Sequence, residues 1–328
     1  MQILVLNHDE TARLLPMDAC IEVMAEALAA LSRGEIYLPL RMVVRPPGAA
    51  GLMGLMPAYV AGERAAYGLK AICVFPGNSA IGKDAHQGGV LLFSAETGEL
   101  MALINASAIT AIRTAAASGV ATRLLARADA GDLAILGAGV QARAHLAAMA
   151  CVRPIRRARV ASRRPEHARA FAAEFAPHFG FPIEPTASVE DAVRGADLIV
   201  TTTTAAEPII RREWVAPGAH INAVGSSIPT AREIDSATMA AAGLFVDRRE
   251  STLNEAGDYL FAAREGAIGP EHIRAEIGEL LIGARPGRTA PDQITLFKSL
   301  GLAVEDLAAA DYVYRQAQAS GAGAWVEF

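Results

Sequence analysis

The segment Asp132-Leu-Ala-Ile-Leu-Gly-Ala-Gly-Val-Gln-Ala142 limits the fold more than any other stretch. Leu133 to Leu136 is apolar without polar alternation, the pattern of a strand buried on both faces. Gly137 and Gly139 lack Cβ atoms, so they permit a tight turn and let a pyrophosphate approach the backbone. Ala142 takes the third small place of a G-x-G-x-x-G/A pattern, where a helix packs on the strand. The helix expected over about 141–150 aims its free N–H groups, from Val140 and Gln141 onward, at the phosphates. Glycine turns of this kind also join strands to helices with no ligand nearby, so the context decides.

Downstream, the context is alternation. A strand is expected over Arg159–Ser162, a helix over Pro165–Phe179 and a strand near Pro182-Ile183. A helix over Val189–Arg194 and strands over Ala196–Thr203 and His220–Val224 follow. Strands separated by helices make a parallel, doubly wound sheet, here a Rossmann dinucleotide-binding domain. Upstream the pattern differs. After a strand at Ile3–Leu6 and an amphipathic helix over Met17–Ser32, stopped at Gly34, come five β-rich segments. These are Leu38–Val44, Gly51–Tyr59, Tyr67–Phe75, Gly89–Phe93 and Leu100–Ile104, separated by Pro/Gly turns. They read as a mainly antiparallel sheet in an α+β domain. Ser107 to Arg127 is helical, and Ile294 to Ala319 reads as one long apolar-faced helix.

With 328 residues, 52% hydrophobic and 20% charged, two folded domains are expected rather than a disordered chain. No apolar run reaches the roughly 18 residues of a membrane span, and the N-terminus lacks the basic start of a signal peptide. Cys20, Cys73 and Cys151 are odd in number and lack metal-ligand spacing, which suits reduced thiols in a cytoplasmic protein without a metal site. A net charge of −5 without a Lys/Arg stripe argues against a nucleic-acid partner.

Cofactor choice turns on the end of the second strand. An NAD-binding chain carries a carboxylate there, about 20 residues past the glycines, for the ribose 2′-OH. This chain has Ser162-Arg163-Arg164 instead. Guanidinium groups bind phosphate oxygens in pairs, so NADP(H) is preferred, with NAD(H) possible. Thr202 and Thr203 stand at the carboxyl edge of another strand, where hydroxyls either line a dinucleotide or cap the next turn.

Further segments carry a resemblance. They are Leu38-Pro-Leu-Arg-Met42, Gly68-Leu-Lys-Ala-Ile-Cys73 and Ile109-Thr-Ala-Ile-Arg-Thr-Ala-Ala-Ala-Ser-Gly119. Gly218-Ala-His-Ile-Asn-Ala-Val-Gly-Ser-Ser-Ile-Pro229 and Ile294-Thr-Leu-Phe-Lys-Ser-Leu-Gly-Leu-Ala-Val-Glu-Asp306 complete the set. With the glycine motif, in this order and over nearly the whole chain, they resemble the ornithine cyclodeaminase/μ-crystallin family. The resemblance implies a homodimer. It also implies a substrate and dimerisation domain from 1–117 with 303–328, around a Rossmann domain over 118–302. Arg41, Lys70 and Arg113 resemble the family's binders of the substrate carboxylate, with Arg113 also near the cofactor. His86, Val224, Ser226 and Ser299 resemble residues beside the nicotinamide, and Leu300 one that reaches the substrate. Ala85 stands where many members have a hydroxyl residue.

The residues agree with that implication. An α-imino acid presents one carboxylate, which suits a cationic fork in a dry pocket. Lys70 lies in an apolar strand, so a depressed pKa and proton donation are expected. Cyclodeaminases resemble this chain but carry an aspartate, the base for oxidising ornithine, where Ser227 stands; serine lacks that basicity. The reading is therefore a reductase of a small cyclic ketimine, Δ1-pyrroline-2-carboxylate or Δ1-piperideine-2-carboxylate, with Lys70 or a Ser227-held water as proton source. Ornithine cyclodeaminase, an amino-acid dehydrogenase or reductase of an open-chain imine, and a μ-crystallin-like small-ligand binding protein holding NADPH remain alternatives. Asp247, Glu250 and Asp258 are expected to cap helices and brace loops, and His145 and His220 to pack.

Overall fold

The computed structural model describes residues 2–328, with the side chain of Ser79 left out of the description. The chain divides into two compact units, 1–114 with 301–328 and 115–300.

The first unit opens with β1 (Gln2–Leu6), α1 (His8–Leu14) and α2 (Met17–Ser32). Helix α1 was not expected; it is one short segment held by a capping box in which Asn7 and Glu10 bond each other's backbone N–H. The 38–44 stretch is not the single strand expected. Pro39 cannot donate a ladder hydrogen bond, and the chain makes β2 (Ile36–Tyr37) and β3 (Met42–Val44) on either side of it. Strands β4 (Leu52–Val60), β5 (Ala66–Val74), β6 (His86–Ser94) and β7 (Leu100–Asn105) then form an antiparallel meander. Helix α3 (Ala106–Leu125) contains the unit boundary.

The second unit alternates as its sequence pattern requires. Its elements are β8 (Asp132–Leu136), α4 (Val140–Val152), β9 (Arg157–Ala161), α5 (Pro165–Phe175), β10 (Ile183–Pro185), α6 (Val189–Val193) and β11 (Leu198–Thr201). Helix α5 stops before the expected Phe179 because Pro177 follows in a short 3-10 turn. Next come β12 (His220–Ala223), α7 (Ser236–Ala241), β13 (Gly243–Val246), α8 (Arg249–Glu255), α9 (Gly257–Arg264), β14 (Ile273–Glu276) and α10 (Ile277–Leu281). The order across this parallel sheet is β10-β9-β8-β11-β12, followed by β15 (Thr295–Lys298), β13 and β14. The direction of winding reverses between β8 and β11, and ligands of such sheets bind outside the carboxyl ends at that reversal.

Ile294 to Ala319 is not one helix. Thr295–Lys298 is β15, buried on both faces between β12 and β13, and helix α11 spans only Ala303–Ser320. A four-residue apolar strand leaves no period to read, so it merged with the helix behind it. Gly301 marks the break at φ +76°. Strand β16 (Ala324–Glu327), also unforeseen, pairs antiparallel with β1 and completes the first sheet in the order β16-β1-β7-β6-β5-β4-β2, with β3 on β4. No helix among the described residues is long and apolar enough to cross a membrane.

The Gly301 turn accepts only glycine without strain. Besides its left-handed backbone, a Cβ there would run into the Arg113 guanidinium. Gly301→Ala is expected to lower stability by about 2 kcal/mol, read as a drop in Tm by calorimetry; an unchanged Tm would contradict this account of the turn.

Candidate functional site

In the first unit, three cations meet the amino end of α11. Along β5 the residues Ala66, Gly68, Lys70 and Ile72 are buried while their alternates are more open, so Lys70 sits on the covered face. Its Nζ lies 3.1 Å from Asp306 Oδ1. The same oxygen accepts from Arg113 Nε at 3.0 Å, and Arg113 Nη1 reaches Glu305 Oε2 at 2.8 Å. Arg41 donates from Nη2 to the Gly301 carbonyl at 3.0 Å. Lys70 and Asp306 are 2% and 1% exposed, so this is a charged cluster in a dry setting.

The cations are not the only buried charges of this unit. Arg41 is half-buried, whereas Glu305 and Asp306 are as buried as Lys70 and Arg113, because a buried guanidinium or ammonium needs a counter-charge. Both stand in the first turn of α11, where the helix dipole favours carboxylates. Burial is the main force on Lys70 and pushes its pKa down to about 8, against the upward pull of Asp306. His86, half-buried at the start of β6, is pushed below the ordinary histidine range, first by burial and then by Lys70 and Arg113.

In the second unit, the expected cofactor residues fall on one edge of the parallel sheet. Gly137 follows β8 at φ +111°, and a Cβ there would lie 2.8 Å from the Thr202 carbonyl oxygen, so only glycine fits. Gly139 is the N-cap of α4; it supplies no side-chain cap, and nothing lies within 4 Å of where its Cβ would stand. Val140 and Gln141 begin that helix. The first-turn N–H groups and the open space before them suit a dinucleotide pyrophosphate. Ser162, Arg163 and Arg164 follow β9; both arginines are exposed and form no ion pair among the described residues. Gly137, Gly139, Val140 and Gln141 would therefore hold the pyrophosphate, and Ser162 to Arg164 the adenosine side.

The threonines after β11 are engaged internally. Thr202 Oγ1 donates to the Leu136 carbonyl at 3.0 Å, and Thr203 Oγ1 donates to Glu233 at 2.7 Å. Val224 is buried beyond β12. Ser226 is buried and donates to the Ala231 carbonyl, whereas Ser227 is exposed. Ser299 is buried with its Oγ unpartnered among the described residues, and the Leu300 N–H donates to Asp247 Oδ2 at 2.6 Å. Asp247 also accepts from the Arg248 N–H, and Glu250 pairs with Arg248, both serving their loop as expected. His145 is buried, with Nδ1 2.7 Å from the Gln141 carbonyl and Nε2 2.9 Å from Ser118 Oγ; burial pushes its pKa down to about 4. His220 bonds Thr295 through Nδ1, but its Nε2 has no partner among the described residues, so it is only half satisfied.

Glu305, Asp306, Glu233 and Lys298 escaped the sequence reading. Lys298 carries the same signal as Lys70, a lysine inside an apolar strand, but the sequence pattern places it in a helix.

With this geometry in place, comparison with known proteins is direct. A model of the ornithine cyclodeaminase/mu-crystallin family matches residues 1–321. The chain belongs to that family. A ketimine reductase mu-crystallin from Mus musculus is 42% identical over 297 residues, covering 90% of each chain. A Delta(1)-pyrroline-2-carboxylate reductase from Bacillus cereus is 39% identical over 326 residues, covering 99% of this chain and 100% of the relative. The solved Delta(1)-pyrroline-2-carboxylate reductase of Thermococcus litoralis, in complex with NADH and L-proline, superposes with a TM-score of 0.96. It is 38% identical and covers 99% of this chain and 100% of its own. Family members thus share both units of this fold, the Rossmann-like parallel sheet and the mainly antiparallel one.

Proposed function

We propose that this family member is an NAD(P)H-dependent reductase of a small cyclic ketimine carboxylate, Δ1-pyrroline-2-carboxylate or Δ1-piperideine-2-carboxylate, yielding L-proline or L-pipecolate. The observation that carries the reading is the meeting of Lys70 and Arg113 on one oxygen of Asp306, with Arg41 bonded to the Gly301 carbonyl at the start of the same helix. Such a convergence of cationic donors suits a substrate carboxylate. The likeness to reductases of that substrate class points the same way. Ser227 favours reduction over cyclodeamination, because a hydroxyl cannot serve as the base for removing a proton from ornithine's amine.

In this mechanism Arg41, Lys70 and Arg113 hold the carboxylate, fixing the imine carbon in one orientation. A reduced nicotinamide, when bound, supplies two electrons as a hydride to that carbon. The C=N π bond breaks and the nitrogen takes one proton. Lys70, an ammonium below about pH 8, gives that proton, or a water held by Ser227 gives it instead. His86, Val224, Ser226 and Ser299 line the nicotinamide side and Leu300 the substrate side; Thr202 and Thr203 brace the turn below the dinucleotide.

The purified chain should oxidise NADPH with either imine at a kcat on the order of 1–10³ s⁻¹, followed by loss of dihydronicotinamide absorbance. Turnover of ornithine without imine reduction would reverse the assignment, and NADPH binding with no turnover at all would favour the binding-protein alternative. Both roles of Lys70 need its protonated form, so kcat/KM should fall as pH rises through about 8. Because Asp306 raises the Lys70 pKa, Asp306→Asn should move that limb down by about 1 unit.

We also infer a preference for NADP(H), supported by the exposed, unpaired Arg163 and Arg164 at the end of β9. Replacing both with alanine should weaken NADPH binding by roughly tenfold or more and leave NADH within threefold, as measured by fluorescence titration. Equal losses for both nucleotides would remove the preference.

A cytoplasmic homodimer is part of the same proposal, consistent with three cysteines that form no disulfide. The alternates to the buried residues of β4 to β7 include Met53, Tyr59, Tyr67, Leu91 and Leu103; Met53, Tyr67 and Leu103 are exposed. The register sets Tyr59 opposite Tyr67, their rings 4.7 Å apart, Leu91 opposite Leu103, and Met53 opposite Cys73. An apolar sheet face of this extent marks an association surface. Sedimentation should give twice 34.3 kDa for the native chain, and Tyr67→Glu should shift it to monomer; a native monomer would refute the dimer.

A further inference from the structure

Three ionisable side chains at the carboxyl edge of the parallel sheet are fully buried: Glu233, Asp258 and Lys298. Lys298 ends β15. Its Nζ lies 3.2 Å from the Ala223 carbonyl, 2.5 Å from the Ser226 carbonyl and 2.9 Å from Asp258 Oδ2. Asp258, in the first turn of α9, accepts through Oδ1 from the backbone N–H groups of Glu233 at 2.7 Å and Ile234 at 2.9 Å. Glu233 takes up four donors. Oε1 accepts from Thr203 N and Thr203 Oγ1, each at 2.7 Å, and Oε2 from Thr201 Oγ1 at 2.6 Å and Gly225 N at 2.8 Å.

The hydrogen bonds to Glu233 oppose the upward push of burial on its pKa. Lys298 Nζ stands between two carbonyls and a carboxylate, all of them acceptors for its N–H donors. Desolvating three such groups is expensive, and an apolar cluster of equal volume would brace a fold as well or better. What an apolar cluster cannot do is bind backbone N–H and C=O groups that leave the sheet. The network does this for the irregular segment after β12, holding the Gly225 N–H and the Ala223 and Ser226 carbonyls, while Ser226 Oγ donates to the Ala231 carbonyl. Two carbonyls drawn inward leave the next side chain, Ser227, exposed.

We propose that Lys298, Asp258 and Glu233 are positioning residues that set the backbone of Val224–Ser227 against the nicotinamide ring. They act through that segment and touch neither substrate nor ring. The proposal rests on the reductase reading for the identity of the reaction, though not for the binding of the dinucleotide.

The test compares Glu233→Gln and Lys298→Met with the native chain by circular dichroism, NADPH titration and steady-state kinetics with both imines. Folded variants should bind NADPH within threefold of native and keep the imine KM within threefold, while kcat falls tenfold or more. The deuterium isotope effect on kcat from 4-deuterated NADPH should rise, because a misaligned ring slows hydride transfer. The rise in nicotinamide emission on binding should shrink as well. Folded variants with native kcat, isotope effect and emission overturn the proposal, as does a kcat loss matched by an equal loss of nucleotide affinity. Should either variant fail to fold, Thr201→Val removes one uncharged donor to Glu233 and should reproduce the pattern at about threefold. A native chain that binds NADPH but reduces neither imine defeats the reductase reading alone, and the emission comparison then decides the positioning role.

Discussion

Buried charge must be paired, and that requirement shapes both units. In the first, Lys70 and Arg113 come from the N-terminal part of the chain, and their counter-charges come from Glu305 and Asp306, nearly two hundred residues or more away in sequence. Removing one partner of such a pair leaves an uncompensated charge at a cost of about 3–5 kcal/mol. The C-terminal helix therefore cannot be an optional appendage. Its first turn carries both carboxylates, its dipole favours them there, and the preceding carbonyl of Gly301 accepts from Arg41.

The same pairing gives the cluster its chemical character. One oxygen of Asp306 bridges Lys70 and Arg113, and Arg113 also pairs with Glu305, so Lys70 shares its carboxylate with a second cation. Lys70 and Arg113 sit where water is scarce, and there an ion pair is stronger than it would be at the surface. Lys70 is held at the edge of deprotonation by burial on one side and Asp306 on the other. A group in that balance can grip an anion and still release a proton near neutral pH.

The second unit uses buried charge differently. Glu233, Asp258 and Lys298 bind backbone groups rather than presenting charge to a ligand. They stand beside the ends of β11, β12 and β15, where the parallel ladder runs out and the chain must turn. The anion-binding part of the same edge needs no charged side chain at all, since the amino end of α4 offers bare N–H groups over Gly139.

The sequence alone determined much of this. The apolar run before Gly137 and Gly139 set the strand, turn and helix, because a double-sided buried strand and two missing Cβ atoms permit few other readings. The β-rich meander, helix α2 at its full length and the unusual Lys70 were also legible, since period and burial leave a local trace. Lys298 was not, because a four-residue strand shows no period and the helix behind it absorbed it. Tertiary structure alone decided which carboxylates answer which cations, that Thr203 serves Glu233, and that β15 sits between β12 and β13. These are contacts between residues far apart in the chain, and their energy depends on distance and burial in three dimensions, which no local pattern of residue types records.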